Sequence, residues 1–358
     1  MFELEEFTLE DLPEDAAPIQ ERLESWKQWA DLETKRRSIF ALFIIDAQLA
    51  RYHGGLPIGK HVLNPLQSAA PHAVFHATTV DEWSTKMRQQ WKDPHPLREI
   101  YNMIFESKLP RGASIYPFTI SVLLEGIQAV ILERNFAGGD AVGVVSEAVL
   151  VQALLTIKTK CLGNPEVPIG NLELHIRWKA LCLDLIVDTV KLFRQLGGEG
   201  PPQNIFGVGQ KPTIPSEGPN RWTQSPKGRR ALLFAIGIQD LAERLPVGRV
   251  TAPSMPPAVF SAATIYCAYC RAGQADVVVP QELDWAIIAG VEGHNDGPIA
   301  SKCRQFIETQ RLQPGFRRLN LRHSLYQFQA MLRAMSTHWG IAEEMRQQLY
   351  PWTSFGSE

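Results

Sequence analysis

Apolar residues recur at helical spacing from Trp26 to Pro57, WKQWADLETKRRSIFALFIIDAQLARYHGGLP. At 100° per residue, Trp29, Leu32, Ile39, Phe40, Ala47 and Ala50 fall within about 60° of Phe43, which marks a core-facing stripe. Ala41, Ile44 and Ile45 lie on the far side, so the pattern predicts a helix that is apolar all round at its middle. Such a helix is expected at the buried centre of its domain, with Phe43 inside. Ser25 is the expected N-cap and Gly54, Gly55 and Pro57 the stop, a span of about 42 Å at 1.5 Å per residue.

The same periodicity predicts helices at 81–91 (capped by Thr79 or Asp81), 97–108, 116–135, 146–162, 172–196, 226–245, 257–271, 280–291, 299–310, 320–338 and 341–349. The segment 61–80 reads as irregular, and Ser225-Pro226 as the N-cap and first position of a helix. Val277 to Val279 is a β-like triplet too short to found a sheet. The predicted class is therefore all-α, a multi-helix orthogonal bundle around a central buried helix, without a significant sheet. The stretch 198–228 holds six glycines and six prolines among 31 residues and reads as a linker or loop. It separates a helical region, 1–197, from a second one, 229–358, expected to pack on the first.

Charges inside the apolar arc of the 26–57 helix are the candidate functional groups. Arg36 and Asp46 both fall there, and ten residues of helix, about 15 Å, keep them apart. Glu33 stands at i,i+3 and i,i+4 from Arg36 and Arg37, the spacing of helical ion pairs. Asp46 is expected to be held from another helix or from the 54–59 turn, because a buried carboxylate needs a donor. Glu33, Arg36, Arg37 and Asp46 are thus candidates for a structural or an effector-contact role.

Composition narrows the function class. Of 358 residues 45% are hydrophobic and 21% charged, an ordinary globular balance, and a net charge of −2 leaves no electrostatic footprint for nucleic acid or anionic membrane. No apolar run approaches a membrane span, and no signal peptide is recognisable. Five cysteines, at 161, 182, 267, 270 and 303, read as reduced thiols.

The order W-x-x-W-A, E-T-K-R-R, an aromatic-rich run ending in Asp, and G-G-x-P resembles the later half of the fungal-specific transcription factor regulatory domain, the middle homology region of fungal zinc-cluster and zinc-finger regulators. Here Trp29, Glu33, Arg36, Arg37, Phe43, Asp46 and Pro57 carry the likeness. FSAATIYCAYCRAG and HWGIAEEMRQQLYPW are similar to later stretches of such proteins. The resemblance implies a nuclear transcription regulator that works with the transcription machinery or co-regulators. It admits a homodimer and a small-molecule effector. It also implies a zinc-bound DNA-binding module, yet the sequence has neither a six-cysteine cluster nor C-x2-C followed by H-x3-H. Zinc and DNA contact therefore belong only to a module missing from this chain; either it is a piece of a longer regulator that starts inside the family domain, or it acts without its own DNA contact.

No catalytic set or cofactor site emerges. Gly54 to Lys60 has G-x4-G-K spacing, but a helix precedes it, His61 stands where Ser or Thr would hold magnesium, and Pro57 removes a backbone donor. Cys267 and Cys270 form a lone C-x-x-C in an apolar helical run, and His72 with His76 lacks a third ligand. Asp184 and Asp188, on one face of the 172–196 helix, lack the neighbouring carboxylates of a magnesium cluster. Gly112-Ala-Ser114 lacks the second glycine of a nucleophile elbow. Of the basic triplets, 35–37 is expected to be structural, and Lys227-Gly-Arg229-Arg230 is expected to be accessible beside the linker, with an import signal as the minor reading of it. The competing class is an all-α enzyme or small-molecule-binding protein with a pocket between helices.

Overall fold

The computed structural model describes residues 7–91, 94–110, 112–113, 115–139, 141–163, 169–197, 219–246, 248, 250, 252–291, 297–309 and 314–354. Most of the Gly/Pro-rich stretch 198–228, Ser114 and residues 1–6 lie outside them. The helices are α1 (Ile19–His53), α2 (His72–Phe75), α3 (Val80–Gln90), α4 (Leu97–Phe105), α5 (Pro117–Phe136), α6 (Glu147–Ile157), α7 (Ile169–Ile186) and α8 (Thr189–Gln195). After the Gly/Pro-rich stretch come α9 (Pro219–Thr223), α10 (Pro226–Ala242), α11 (Met255–Arg271), α12 (Trp285–Ala289), α13 (Pro298–Thr309), α14 (Leu321–Met335) and α15 (Gly340–Ser354). Strands β1 (Asp276–Pro280) and β2 (Phe316–Asn320) form an antiparallel pair with Val278 opposite Arg318. The class is all-α.

Local chemistry sets most helix starts. Thr79, Ser146, Asp188, Ser225, Asp284 and Asn320 each accept a backbone N–H from the first turn that follows, a cap that contributes about 1 kcal/mol. Asp188 in this role corrects the continuous 172–196 helix: its carboxylate takes the Lys191 N–H at 3.0 Å, its own backbone is extended, and α7 ends two residues earlier. Asp184 and Asp188 therefore do not share a helix. The expected 280–291 helix shrinks to α12 because Val277 to Pro280 pair with β2, so the Val triplet does find a partner strand.

The centre of the molecule is made by other helices than the one expected. In α10, Ala231 to Gln239 are buried without a break; α7 packs on one side of it and α11 on another, and α5 and α14 close over these. The main apolar core draws on residues from Phe40 to Leu349, so helices before 198 and after 228 share it. Helix α1 lies at the edge, not the centre. Its first half covers a satellite cluster of Trp29, Leu32, Val74, Trp83, Met87 and Trp91, and its second half leans on α5. It begins at Ile19, six residues before the expected cap, because Leu23 and Trp26 also pack on that satellite; Ser25 lies inside the helix and donates to the Asp11 carbonyl at 3.3 Å. Its stop is as expected, with Gly54 at φ 69°.

Candidate functional site: the first helix and its buried partners

The buried face of α1 runs through Trp29, Arg36, Phe40 and Ala47, which puts Phe43 about 40° off its centre. Phe43 is consequently half-buried, a correction to the sequence expectation, and its ring stands edge-on to His61 at 4.8 Å. The face turned because three of its members, Glu33, Gln48 and Arg51, are polar and each meets a partner outside the helix that this rotation brings within reach. Leu42, Ile45 and Leu49 are left pointing the opposite way, 66%, 45% and 51% exposed.

Three polar seams hold the helix. In the first, Glu33, fully buried, accepts Arg36 Nη1 at 2.7 Å, Arg37 Nε at 2.7 Å and the Ala70 N–H at 3.0 Å. Arg37 also donates to the Ala70 carbonyl at 2.7 Å and lies over the rings of Phe75 and Phe118. Glu33, Arg36 and Arg37 thus act together, tying α1 to the strap before α2. In the second, Gln48 donates to Glu125 at 2.6 Å, and Glu125 receives both Nε and Nη2 of Arg177 at 2.7 Å, with Gln128 beside them. In the third, Arg51 grips Asp184 through two 2.8 Å bonds and donates to Ser261 at 2.6 Å, joining α1 to α7 and α11. Burial works against the Arg51 charge, but Asp184 beside it holds its pKa above the ordinary value.

Asp46 stands apart from these seams. It accepts the N–H groups of Ile58 at 3.1 Å and Gly59 at 2.8 Å, so the turn after α1 is clamped back on the helix. Gly59 is needed there: a Cβ would come within 2.5 Å of the Phe43 ring. His61 Nε2 approaches Asp46 at 3.8 Å, and burial, only partly offset by Asp46, pushes its pKa below the ordinary value. Since the Asp46 side chain is 23% exposed and its partners are backbone donors, Asp46→Ala is expected to cost about 1–2 kcal/mol. The half-exposed Asp31–Lys35 pair sets the comparison, with Asp31→Ala under about 0.5 kcal/mol. Urea midpoints of the two variants beside the parent check this; equal midpoints would mean that the clamp adds nothing.

A cleft of about 340 Å³ opens where the second seam reaches the surface, bounded by Ile44, Phe118, Glu125, Arg177 and Ser254. Among the described residues Arg177 Nη1 has no acceptor. Sequence reasoning missed Gln48, Arg51, Glu125 and Arg177. Arg51 carried a signal, since it lies about 40° from Trp29 on the same face, but its partner is 133 residues away. The triplet at 227–230 is corrected as well: Arg229 is buried and donates to the Ile307 and Glu308 carbonyls at the end of α13, so it is not free to be read as an import signal. Among the described residues no three His, Cys, Asp or Glu side chains converge as metal ligands, and all five cysteines are free thiols. No helix among them is long and apolar enough to cross a membrane.

Comparison with known proteins gives one informative likeness. An alignment of 121 residues is 24% identical to the transcription factor PfmaH of Pestalotiopsis fici and covers 31% of this chain. It spans only 12% of that protein's length. No family model matches the sequence, and no solved structure gives a significant match.

Proposed function

We propose that this chain is the helical regulatory region of a fungal transcription factor of the zinc-cluster or zinc-finger type, acting on transcription by RNA polymerase II. The observation that carries the reading is the likeness to PfmaH; the residues Trp29 to Pro57, which resemble the family's regulatory domain, are the ones whose geometry supports it. The seams through Glu33, Glu125 and Asp184 fix the inner face of α1, so that Leu42, Ile45 and Leu49 are presented on a rigid outer face. Neighbouring Leu56, Ile58 and Leu63 are exposed too, with Ile58 in the turn that Asp46 clamps. An apolar surface of this kind is how a regulator takes hold of a co-regulator or of a second copy of itself. DNA is reached through a zinc module outside this sequence.

The test joins the chain to a heterologous DNA-binding domain in a fungal reporter strain. We expect reporter output to change at least several-fold and the fusion to concentrate in the nucleus. The triple variant Leu42→Glu, Ile45→Glu, Leu49→Glu should lose most of that change while its circular dichroism stays that of the parent. A fusion that leaves the reporter at baseline contradicts the regulatory reading. A triple variant as active as the parent leaves regulation standing but removes the α1 surface from it.

A second reading, a small-molecule-binding protein, has the 340 Å³ cleft and the unpartnered Arg177 Nη1 in its favour. A ligand carbonyl or carboxylate is the group that nitrogen lacks.

A further inference from the structure

Two lysines lie against the same pair of indole rings on the far side of α7. Lys158 opens a π-helical turn, Lys158–Leu162, that continues α6, and such turns often mark functional sites. Lys179 lies in the middle of α7 and is 4% exposed. The Lys179 Nζ stands 4.0 Å from the ring centre of Trp285 and 5.6 Å from that of Trp178; the Lys158 Nζ stands 5.9 Å and 5.2 Å from the same two rings. Phe234 joins the two indoles from behind, at 6.1 Å and 5.7 Å between ring centres.

Neither ammonium has a carboxylate to pair with among the described residues. The nearest acidic side chains are in use: Asp284 caps α12 by accepting the Ala286 and Ile287 N–H groups, and Asp240 receives Arg317 at 2.5 Å. His175, one turn before Lys179 and buried, has no partner for its Nε2 among the described residues. The surroundings are shaped to admit these side chains. Gly237 of α10 packs against Trp285 and Lys179, and a Cβ there would come within 2.1 Å of the former and 3.0 Å of the Cε of the latter. A buried cation held against indole faces, with no carboxylate paired to it among the described residues, is costly, and two together repel each other as well.

We propose that Lys158 and Lys179 form, with Trp178 and Trp285, a binding site for a small organic anion bearing a carboxylate on an apolar body. The carboxylate supplies the charge that both ammonium groups lack, and the apolar body meets indole walls. A phosphate fits less well, because among the described residues neither an arginine fork nor a nest of backbone N–H groups is seen beside the two lysines. Binding is coupled to protons. Burial and the neighbouring lysine bring the Lys179 pKa down to about 7, and burial brings that of Lys158 to about 8. An arriving anion favours the charged form of both, so a proton is taken up and affinity falls as pH rises above about 8. The other groups facing the pair do not mask this. His175, held down to about 4, stays neutral; burial pushes the Cys182 thiol up and keeps it protonated; Asp240 and Asp284 remain in the contacts named above. The site stands on its own geometry, whether or not the chain regulates transcription.

The experiment is calorimetric titration of the whole chain with benzoate at pH 7 and pH 9, benzamide serving as the uncharged control and inorganic phosphate as the competing anion. Benzoate is expected to saturate with a dissociation constant near 1 mM or below, about 4 kcal/mol in standard free energy. Its affinity should drop at least about fivefold at pH 9, and its heat should depend on buffer ionisation at pH 7. Lys158→Met and Lys179→Met should each remove about tenfold or more of the affinity in protein that remains folded by circular dichroism, and Lys27→Met, on the exposed face of α1, none. No saturation below about 20 mM, equal binding of benzamide, preference for phosphate, or undiminished binding by Lys179→Met would each overturn the proposal.

Discussion

Glu33→Ala is expected to lower the unfolding free energy by about 3–5 kcal/mol, the largest single effect among the polar residues of α1. The carboxylate is fully buried and answers three donors at once: Arg36 Nη1, Arg37 Nε and the Ala70 N–H. Removing it strands a buried guanidinium. Among the described residues Arg36 has no second acceptor, its Nε being already unpartnered there, whereas Arg37 keeps the Ala70 carbonyl and the faces of Phe75 and Phe118. The loss should therefore be traceable to Arg36. The double variant Glu33→Ala, Arg36→Met should recover part of the stability that Glu33→Ala loses, because a methionine leaves no buried charge unpaired. Glu33→Gln, which keeps an acceptor oxygen but not the charge, should fall between parent and alanine. Urea unfolding of the four proteins decides it. A cost under about 1 kcal/mol for Glu33→Ala would mean that water enters the seam and satisfies the arginines.

Lys179→Met should act in the opposite direction and depend on pH. Burial and Lys158 hold the Lys179 pKa at about 7, down from 10.5 for the exposed side chain. Between those two values the unfolded chain binds more protons at this position than the folded one does, so the parent gains stability as pH rises through that window. Below about 7 the lysine is charged in both states, and the cost of burying it is felt in full. A methionine of similar volume never bears that cost. We expect the variant to be more stable than the parent by about 2–3 kcal/mol at pH 6, with the advantage shrinking steadily towards pH 10. The difference between the two urea curves at each pH reports Lys179 together with its coupling to Lys158, the other titrating groups being common to both. An advantage that is absent at pH 6, or that grows with pH, would place the Lys179 ammonium in water.

The contrast between these residues shows where sequence reading reached. Glu33 with Arg36 and Arg37 was legible because i,i+3 and i,i+4 partners meet on any helix surface, whatever it packs against. The Asp46 clamp was legible as far as the 54–59 turn, since a glycine stop brings the chain back over the last turns of the helix it ends. Arg51 and Gln48 were on the page as residues of the same helix, yet their partners Asp184 and Glu125 are 133 and 77 residues away. Without those partners an all-round apolar middle gave no way to choose a face, and the choice of Phe43 as its centre followed.

What the sequence by itself determined is the all-α class, the main helices and many of their ends, because each rests on interactions within one or two turns: Thr79 and Ser225 capping their own first N–H groups, Gly54 taking a left-handed backbone, apolar residues returning every 3.6 positions. Tertiary structure alone decided which helix is central, which face of α1 is bared, that Val277 to Val279 pair with a strand some forty residues on, and that Lys158 and Lys179 share one pair of indoles. These depend on which distant groups meet when apolar surface is buried. A polar residue in an apolar stretch, such as Lys179 between Trp178 and Leu181, shows in the sequence that something must meet it; only the packed neighbours show what does.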